Sequence, residues 1–459
     1  MSFREKLVAS VLALSLSAIA VSGAQAQSIS QALTRAYEYA PDLQAALLAA
    51  KSSAENVALA EAGKRPTIGA SFGGTYNWSA GQTSLQNPTG VFADSQTYTA
   101  GLSYNQTIFD NFKTEAQIEA ARAGAEAAEY QIRATEQTVL LAVVQAYMNV
   151  LTSRQLVALR EENTNFYAAQ LQSARDRLDV GEGTRIDVAQ AQARQAQGGA
   201  SYRAAVSSLE VAQATFQRYV GAPPQNLNAS HNFGKLVPNS LQAAIAEGEI
   251  GHPAILLSKA SIRAAQAGSD AASAQFGPSA SVSGGVQTGF SNPGGTQGLS
   301  GRLGFNITVP IYAGGAIGAN VRKANIEQIK SEVDAMSAYD RIREAVISAW
   351  AGIQSADAQI TAANAAVSAG REVLEGIIQE RDLGTRTTLD VLNSQAELTT
   401  ARENLINASS NKVIATFSLL SAMGRLTARE LGLPVEVKSA VRYNQAVEDV
   451  WMELRTIAE

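Results

Sequence analysis

Four stretches of the chain alternate apolar and polar residues with period 2, the mark of β-strands whose two faces meet different surroundings. From Thr67 to Trp78 the even positions are Ile68, Ala70, Phe72, Gly74, Tyr76 and Trp78, set against Thr, Gly, Ser and Asn at the odd ones. Tyr98, Ala100, Leu102, Tyr104 and Ile108 alternate with Thr97, Thr99, Ser103, Asn105 and Thr107. Ala280, Val282, Val286 and Phe290 repeat the pattern, as do Leu303, Phe305, Ile307 and Val309. A soluble antiparallel sheet with one wet side alternates in the same way. Runs of ~10 to 13 residues, however, match tilted strands that cross a bilayer. The connections Ser79 to Ser95 and Ser291 to Gly298 are polar, as external barrel loops are. Tyr76, Trp78 and Tyr98 stand near strand ends, where interfacial aromatics belong. Four strands cannot close alone, since the smallest membrane barrel has about eight. Several copies must therefore contribute strands, and four per chain close equally as eight, twelve or sixteen.

Between the strand pairs the period changes. Lys113 to Leu178 is a run of 66 residues without proline, about 100 Å of helix. Ile118, Ala121, Ala125, Ala128, Ile132, Thr135, Val139, Ala142, Ala146 and Asn149 recur at steps of 3 and 4, a heptad seam of small residues that lets helices approach closely. Val321, Ala324, Ala335, Ala338, Ile342, Ala345, Ala349 and Gly352 form the same stripe later. Ser28 to Lys64 and Thr184 to Val220 are 37 residues each, so two such helices stacked end to end match one long helix. On this reading the strand pairs sit at one end of the rod. The breaks at Asp179 to Gly183 and Asp382 to Gly384 sit at the other.

The two seams belong to a duplication. Pro41 and Pro253 differ by 212, as do Pro66 and Pro278, and after a shorter loop the offset becomes 203 for Ala146 and Ala349, Gly181 and Gly384, Asp187 and Asp390, and Gly221 and Gly424. The expected organisation is a signal peptide over 1–26, a first repeat over 27–240 and a second over 241–424. The first repeat would hold a helix at 28–64, strands at 67–78 and 96–109, and helices at 113–178 and 184–220. The second would hold a helix at 253–276, strands at 279–290 and 299–311, and helices at 316–381 and 387–424. Segments 222–249 and 425–459 fall outside the heptads, and the latter is expected as an equatorial C-terminal segment around the rod's middle. The signal peptide is read from Arg4 and Lys6, the apolar run Leu7 to Val21 and the cleavage triplet Ala24-Gln25-Ala26.

Composition narrows the function. With 46% apolar and 17% charged residues the chain can bury a large interior, and a net charge of −5 offers no basic excess for nucleic acid. No cysteine is present, so thiolate chemistry, disulfides and a lipidated N-terminal cysteine are excluded. His231 and His252 have no partner at ligand spacing, and Gly181-Glu182-Gly183 follows a helix where a dinucleotide loop follows a strand. Neither an enzyme nor a cofactor is expected.

The signal peptide, the duplicated strand-strand-helix unit and the stretch Val180 to Val188, echoed at Leu383 to Val391 and ending at Leu392, together resemble the TolC family of outer-membrane factors. The resemblance covers essentially the whole mature chain. It implies a mainly α fold with transmembrane β: a long α-helical coiled-coil barrel through the periplasm, joined to a 12-stranded β-barrel that a homotrimer shares in outer membrane lipid. The implied role is the exit duct of a tripartite efflux pump or type I protein secretion system, engaged by a periplasmic adaptor (membrane fusion) protein and an inner-membrane RND or ABC transporter. The resemblance also implies a gate at the helix breaks, with tip turns at Gly181, Gly183 and Gly384. Arg386 would link to Asp187 there, and Asp390 would form a ring of three at the entrance. Arg381 stands where the family has a gating tyrosine, and Asn393 where it has a second aspartate ring. The residues alone keep another role open, because Thr184 with Asp187 and Thr387 with Asp390 have capping-box spacing. A soluble periplasmic coiled-coil adaptor or scaffold would share the long helices, but the four strands count against it. Mass spectrometry of the exported protein should find Gln27 as its first residue; a retained apolar run would make that segment an anchor.

Overall fold

The computed structural model describes residues 27–84, 87–228, 233–448 and 450. The predicted signal peptide, His231 and the last nine residues lie outside that set. In chain order the elements are α1 (Ile29–Tyr39), α2 (Pro41–Glu61), β1 (Thr67–Ser84), β2 (Asn87–Phe109), α3 (Lys113–Asp179), α4 (Arg185–Val220), α5 (Leu241–Gly251), α6 (Pro253–Ser273), β3 (Ser279–Asn292), β4 (Gly295–Thr308), α7 (Ala316–Asp382), α8 (Thr388–Ala422) and α9 (Val441–Glu448). Single 3-10 turns follow α2 and α6, and another spans Phe233–Leu236. None of the described helices is long and apolar enough to cross a membrane.

Three expectations need correction. The helix read as continuous over 28–64 breaks at Ala40, whose ψ of 113° leaves the helical range just before Pro41. Proline disfavours the α region for the residue before it and cannot donate the next hydrogen bond. The break recurs at His252, ahead of Pro253. Secondly, the polar connections are largely strand. β1 runs on to Ser84, β2 begins at Asn87, β3 reaches Asn292 and β4 starts at Gly295. Hairpin pairing satisfies backbone groups whatever the side chains are, so the loss of alternation hid these extensions. Thirdly, β4 ends at Thr308 and not at residue 311, because Pro310 has no N–H for the ladder. Segment 222–249, placed outside the heptads, holds most of α5.

The described chain forms two compact units, and each gathers segments from both repeats. One contains 44–134, 253–341 and 438–450. Its sheet is antiparallel in the order β1-β2-β3-β4, so β1 and β4 are its edges. The register places the paired alternating apolar positions on one face, large beside small: Phe72 opposite Ala100, Tyr98 opposite Gly74 and Leu303 opposite Gly284. Among the described residues none covers that face in the single chain, and Phe72 is 85% and Leu303 83% exposed. The opposite face pairs Thr75 with Thr97, Asn105 with Ser283 and Ser281 with Asn306. Where β2 enters α3, Asn111 and Phe112 take left-handed φ of 58° and 65°. The Asn111 amide donates to the Ala274 carbonyl at 3.1 Å, and Asp110 accepts from the Thr114 N–H at 2.9 Å to cap the helix. Arg65 donates to the carbonyls of Val450 and Glu448, and the buried Glu129 accepts the Ala440 N–H at 2.9 Å.

The other unit contains 27–43, 135–252 and 342–437. Ile29, Leu33 and Tyr37 of α1, Leu140, Val143 and Tyr147 of α3, Phe216 of α4, Val346 of α7 and Phe417 of α8 are buried within it. The Tyr147 hydroxyl sits between the carbonyls of Gln27 (2.6 Å) and Asn228 (2.7 Å) and accepts from the Asn228 N–H at 2.8 Å. Burial pushes its phenol pKa up. Burial likewise pushes His252 down to about 4, so it is neutral at physiological pH and is no cationic element of this fold. Arg425 ties two of the segments outside the heptads together, donating to the Leu236 carbonyl at 3.1 Å and to Glu247. Glu136 accepts the Ala428 N–H at 2.6 Å in a buried site. Glu136→Leu would leave that buried donor unpaired and should lower stability by about 1–3 kcal/mol, with Glu136→Gln costing less because it keeps an acceptor. Urea unfolding in detergent micelles would compare the two; equal losses would count against the acceptor role.

Candidate functional site

The turns after α3 and α7 are built alike. In the first, the Gly181 N–H donates to the Leu178 carbonyl and the Glu182 N–H to Arg177; in the second, Gly384 donates to Arg381 and Thr385 to Glu380. These are Schellman closures, which need a left-handed residue at the turn. Gly181 and Gly384 supply it at φ of 80° and 82°. Gly183 is crowded against the end of α3, where an added Cβ would fall 3.0 Å from the Leu178 nitrogen.

Each turn then opens the next helix through a reciprocal cap. The Thr184 hydroxyl accepts from the Asp187 N–H at 3.1 Å, and the Asp187 carboxylate accepts from the Thr184 N–H at 3.1 Å and hydroxyl at 2.6 Å. Thr387 and Asp390 repeat this at 3.2, 2.9 and 2.7 Å. Hydrogen bonds from the Thr387 backbone and side chain hold the Asp390 carboxyl below its usual pKa, with Arg386 adding to the effect. Asp390 therefore keeps its charge to lower pH than a free carboxylate does.

The expected link between Arg386 and Asp187 is not formed within this chain. Arg386 instead donates through Nε to Glu380 at 2.8 Å, which raises its pKa. Arg381 is only 8% exposed and donates to both Asp382 (2.7 and 3.0 Å) and Gln170 of α3 (2.5 Å). Asn393 accepts from Arg194 of α4 at 2.9 Å. Of the residues the sequence singled out, the structure thus gathers Asp187, Asp390 and the glycines into caps and turns. Arg381, Arg386 and Asn393 take partners the sequence did not name.

Beneath the turns lies an apolar cluster of Tyr167, Leu171 and Ala174 from α3, Ala191 from α4 and Leu392 from α8. A polar ladder continues it. Asn163 accepts from Gln395 and Thr399, both at 3.1 Å and all three buried, flanked by Arg160 with Glu403 at 2.5 Å and Arg402 with Glu162 at 2.8 Å. The Arg402 hydrogen bond lowers the Glu162 pKa. That pair's contribution is complete above the ordinary glutamate value and disappears as pH falls through the lowered one. Gln395 and Thr399 are four residues apart on the buried face of α8, and polar residues at such spacing were the one sequence signal for this ladder. Gln170, Glu380 and Arg194 gave none. Among the described residues no three His, Cys, Asp or Glu side chains converge as metal ligands.

Comparison with known proteins agrees with this architecture. The model of the family described as outer membrane efflux protein matches residues 30–222 and 245–425. Outer membrane efflux protein BepC of Brucella suis biovar 1 is 35% identical over 457 residues, covering 98% of this chain and 97% of the relative. Outer membrane protein TolC of Escherichia coli K12 is 26% identical, covering 93% and 88%. The crystal structure of the CmeC outer membrane channel of Campylobacter jejuni superposes with a TM-score of 0.75 at 18% identity, over 92% of this chain and 90% of that one. At that identity the likeness speaks for the fold alone, whereas the family match and the BepC relative cover nearly the whole chain. The chain belongs to the outer membrane efflux protein family.

Proposed function

We propose that this outer-membrane efflux channel protein is one protomer of a homotrimeric exit duct, each copy lending four strands to a twelve-stranded barrel in outer membrane lipid. The observation that carries the reading is the sheet, with one uncovered apolar face, one polar face and two open edges. In hydrocarbon every unpaired edge group costs several kcal/mol, so the edges of β1 and β4 call for pairing between copies until the ring closes. A periplasmic adaptor and an inner-membrane transporter, RND or ABC, would deliver cargo for efflux or type I secretion. The turns after α3 and α7 would form the periplasmic entrance.

At that entrance Asp390 is the ring residue. Its cap fixes the carboxylate, and three copies of the charge around an axis would attract cations. Among the described residues Arg386 spends only Nε, and Asp187 only one oxygen. The remaining donors and acceptor are available for a link between copies. Arg381 acts inside each copy, holding the last turn of α7 to α3 through Gln170.

Single-channel recording in planar bilayers tests this reading. Wild type should give a small cation-selective conductance blocked by a trivalent cation such as hexamminecobalt. Asp390→Asn, which removes the charge but keeps an acceptor for the cap, should weaken the block by roughly tenfold, the factor that 1.4 kcal/mol corresponds to. No insertion at all would favour the soluble adaptor, and an unchanged block would leave Asp390 as a cap only. Arg381→Met should raise the conductance by freeing α7 at its tip; a wild-type conductance would reduce Arg381 to a packing role.

A further inference from the structure

Asp390, Asn393 and Glu397 are spaced i, i+3 and i+7 on α8 and so share one helix face. The middle position is neutral by sequence. It is not neutral in the structure, because Arg194 reaches from α4 and donates Nη2 to the Asn393 side-chain oxygen at 2.9 Å. A second donor, Nη1, contacts Gln197 on Arg194's own helix at 3.4 Å, so the guanidinium is held from both sides. Among the described residues no carboxylate lies within salt-bridge distance of Arg194, whereas Arg160, Arg381, Arg386 and Arg402 of this unit each have one. The charge is thus presented, not neutralised by a direct partner. The duplication sharpens the point, since the position equivalent to Arg194 in the second repeat is Glu397, of opposite charge, and the one equivalent to Asn393 in the first is Gln190.

We propose that Arg194, held by Asn393, is a selectivity residue of the entrance: it places a positive band one helical turn from the negative band of Asp390, with Glu397 beyond it. The inference rests on the reading of Asp390 as an entrance residue, because a face that turns Asp390 toward the axis turns Asn393 and its bound guanidinium the same way. Three guanidiniums a turn away from three carboxylates oppose the cation attraction of the ring and lower the barrier to anionic and zwitterionic cargo. Arg194 also differs from the gate residues in kind. It holds no helix end in place, so its effect lies in which ions pass and not in whether the entrance opens.

The test is the reversal potential of the channel in a potassium chloride gradient, measured for wild type, Arg194→Gln, Arg194→Lys and Asp390→Asn. Arg194→Gln should raise the potassium-over-chloride permeability ratio by about a factor of two or more, equivalent to about 0.4 kcal/mol, and tighten trivalent block, while leaving open frequency unchanged. Arg194→Lys should return both to wild type, which a merely structural role of the Asn393 contact would not produce. If Asp390→Asn lowers the ratio and Arg194→Gln leaves it unchanged, Arg194 is a helix-pairing residue and the inference falls while the entrance reading stands. If Asp390→Asn also leaves the ratio unchanged, the entrance reading itself fails and takes this inference with it.

Discussion

Every backbone N–H and C=O must find a partner, and in hydrocarbon water cannot be one. The single sheet meets this requirement internally for β2 and β3 and leaves it open along β1 and β4. Most of the chain's organisation answers to that deficit. Among the described residues the apolar face has no protein cover and suits lipid, the polar face suits an aqueous lumen, and the two edges are open to pairing with further copies. A chain with the same helices and a closed sheet would have no such demand on its quaternary structure.

The duplication supplies the second constraint. α3 and α7 have the same length, 67 residues, and each ends in the same closure and is followed by the same cap. Yet the repeats are not the compact bodies, since each unit draws segments from both. Duplicated sequence and shared packing coexist because a long helix buries its seam against whatever lies beside it along its length. Divergence between the copies then falls where symmetry is of least use: Gly183 against Arg386, and Arg194 against Glu397.

Periodicity read the fold well where one face of an element is buried and the other is not. The alternation of Ile68 to Trp78 and the heptad seam from Ile118 both carried through to β1 and α3. It failed where hydrogen bonding works without regard to side chains, as in the hairpin extension to Ser84, and where one proline outweighs a long helical pattern, as at Ala40. The caps of Asp187 and Asp390 were legible because both partners lie within three residues. Arg381 to Gln170 and Arg194 to Asn393 join positions 211 and 199 residues apart, and no local pattern encodes such pairs. Local chemistry was readable and tertiary polar pairing was not.

Two glutamates on α3, one heptad and so about two helical turns apart, each accept a backbone N–H that the ribosome delivers much later. Ala428 follows Glu136 by 292 residues and Ala440 follows Glu129 by 311. A chain still emerging during synthesis or export therefore has two carboxylates whose burial is incomplete until residues 428–440 arrive. The C-terminal stretch is in this sense a closing clasp. It makes the arrival of Ala428 and Ala440, and not the formation of any one helix, the event after which both units can reach their final packing.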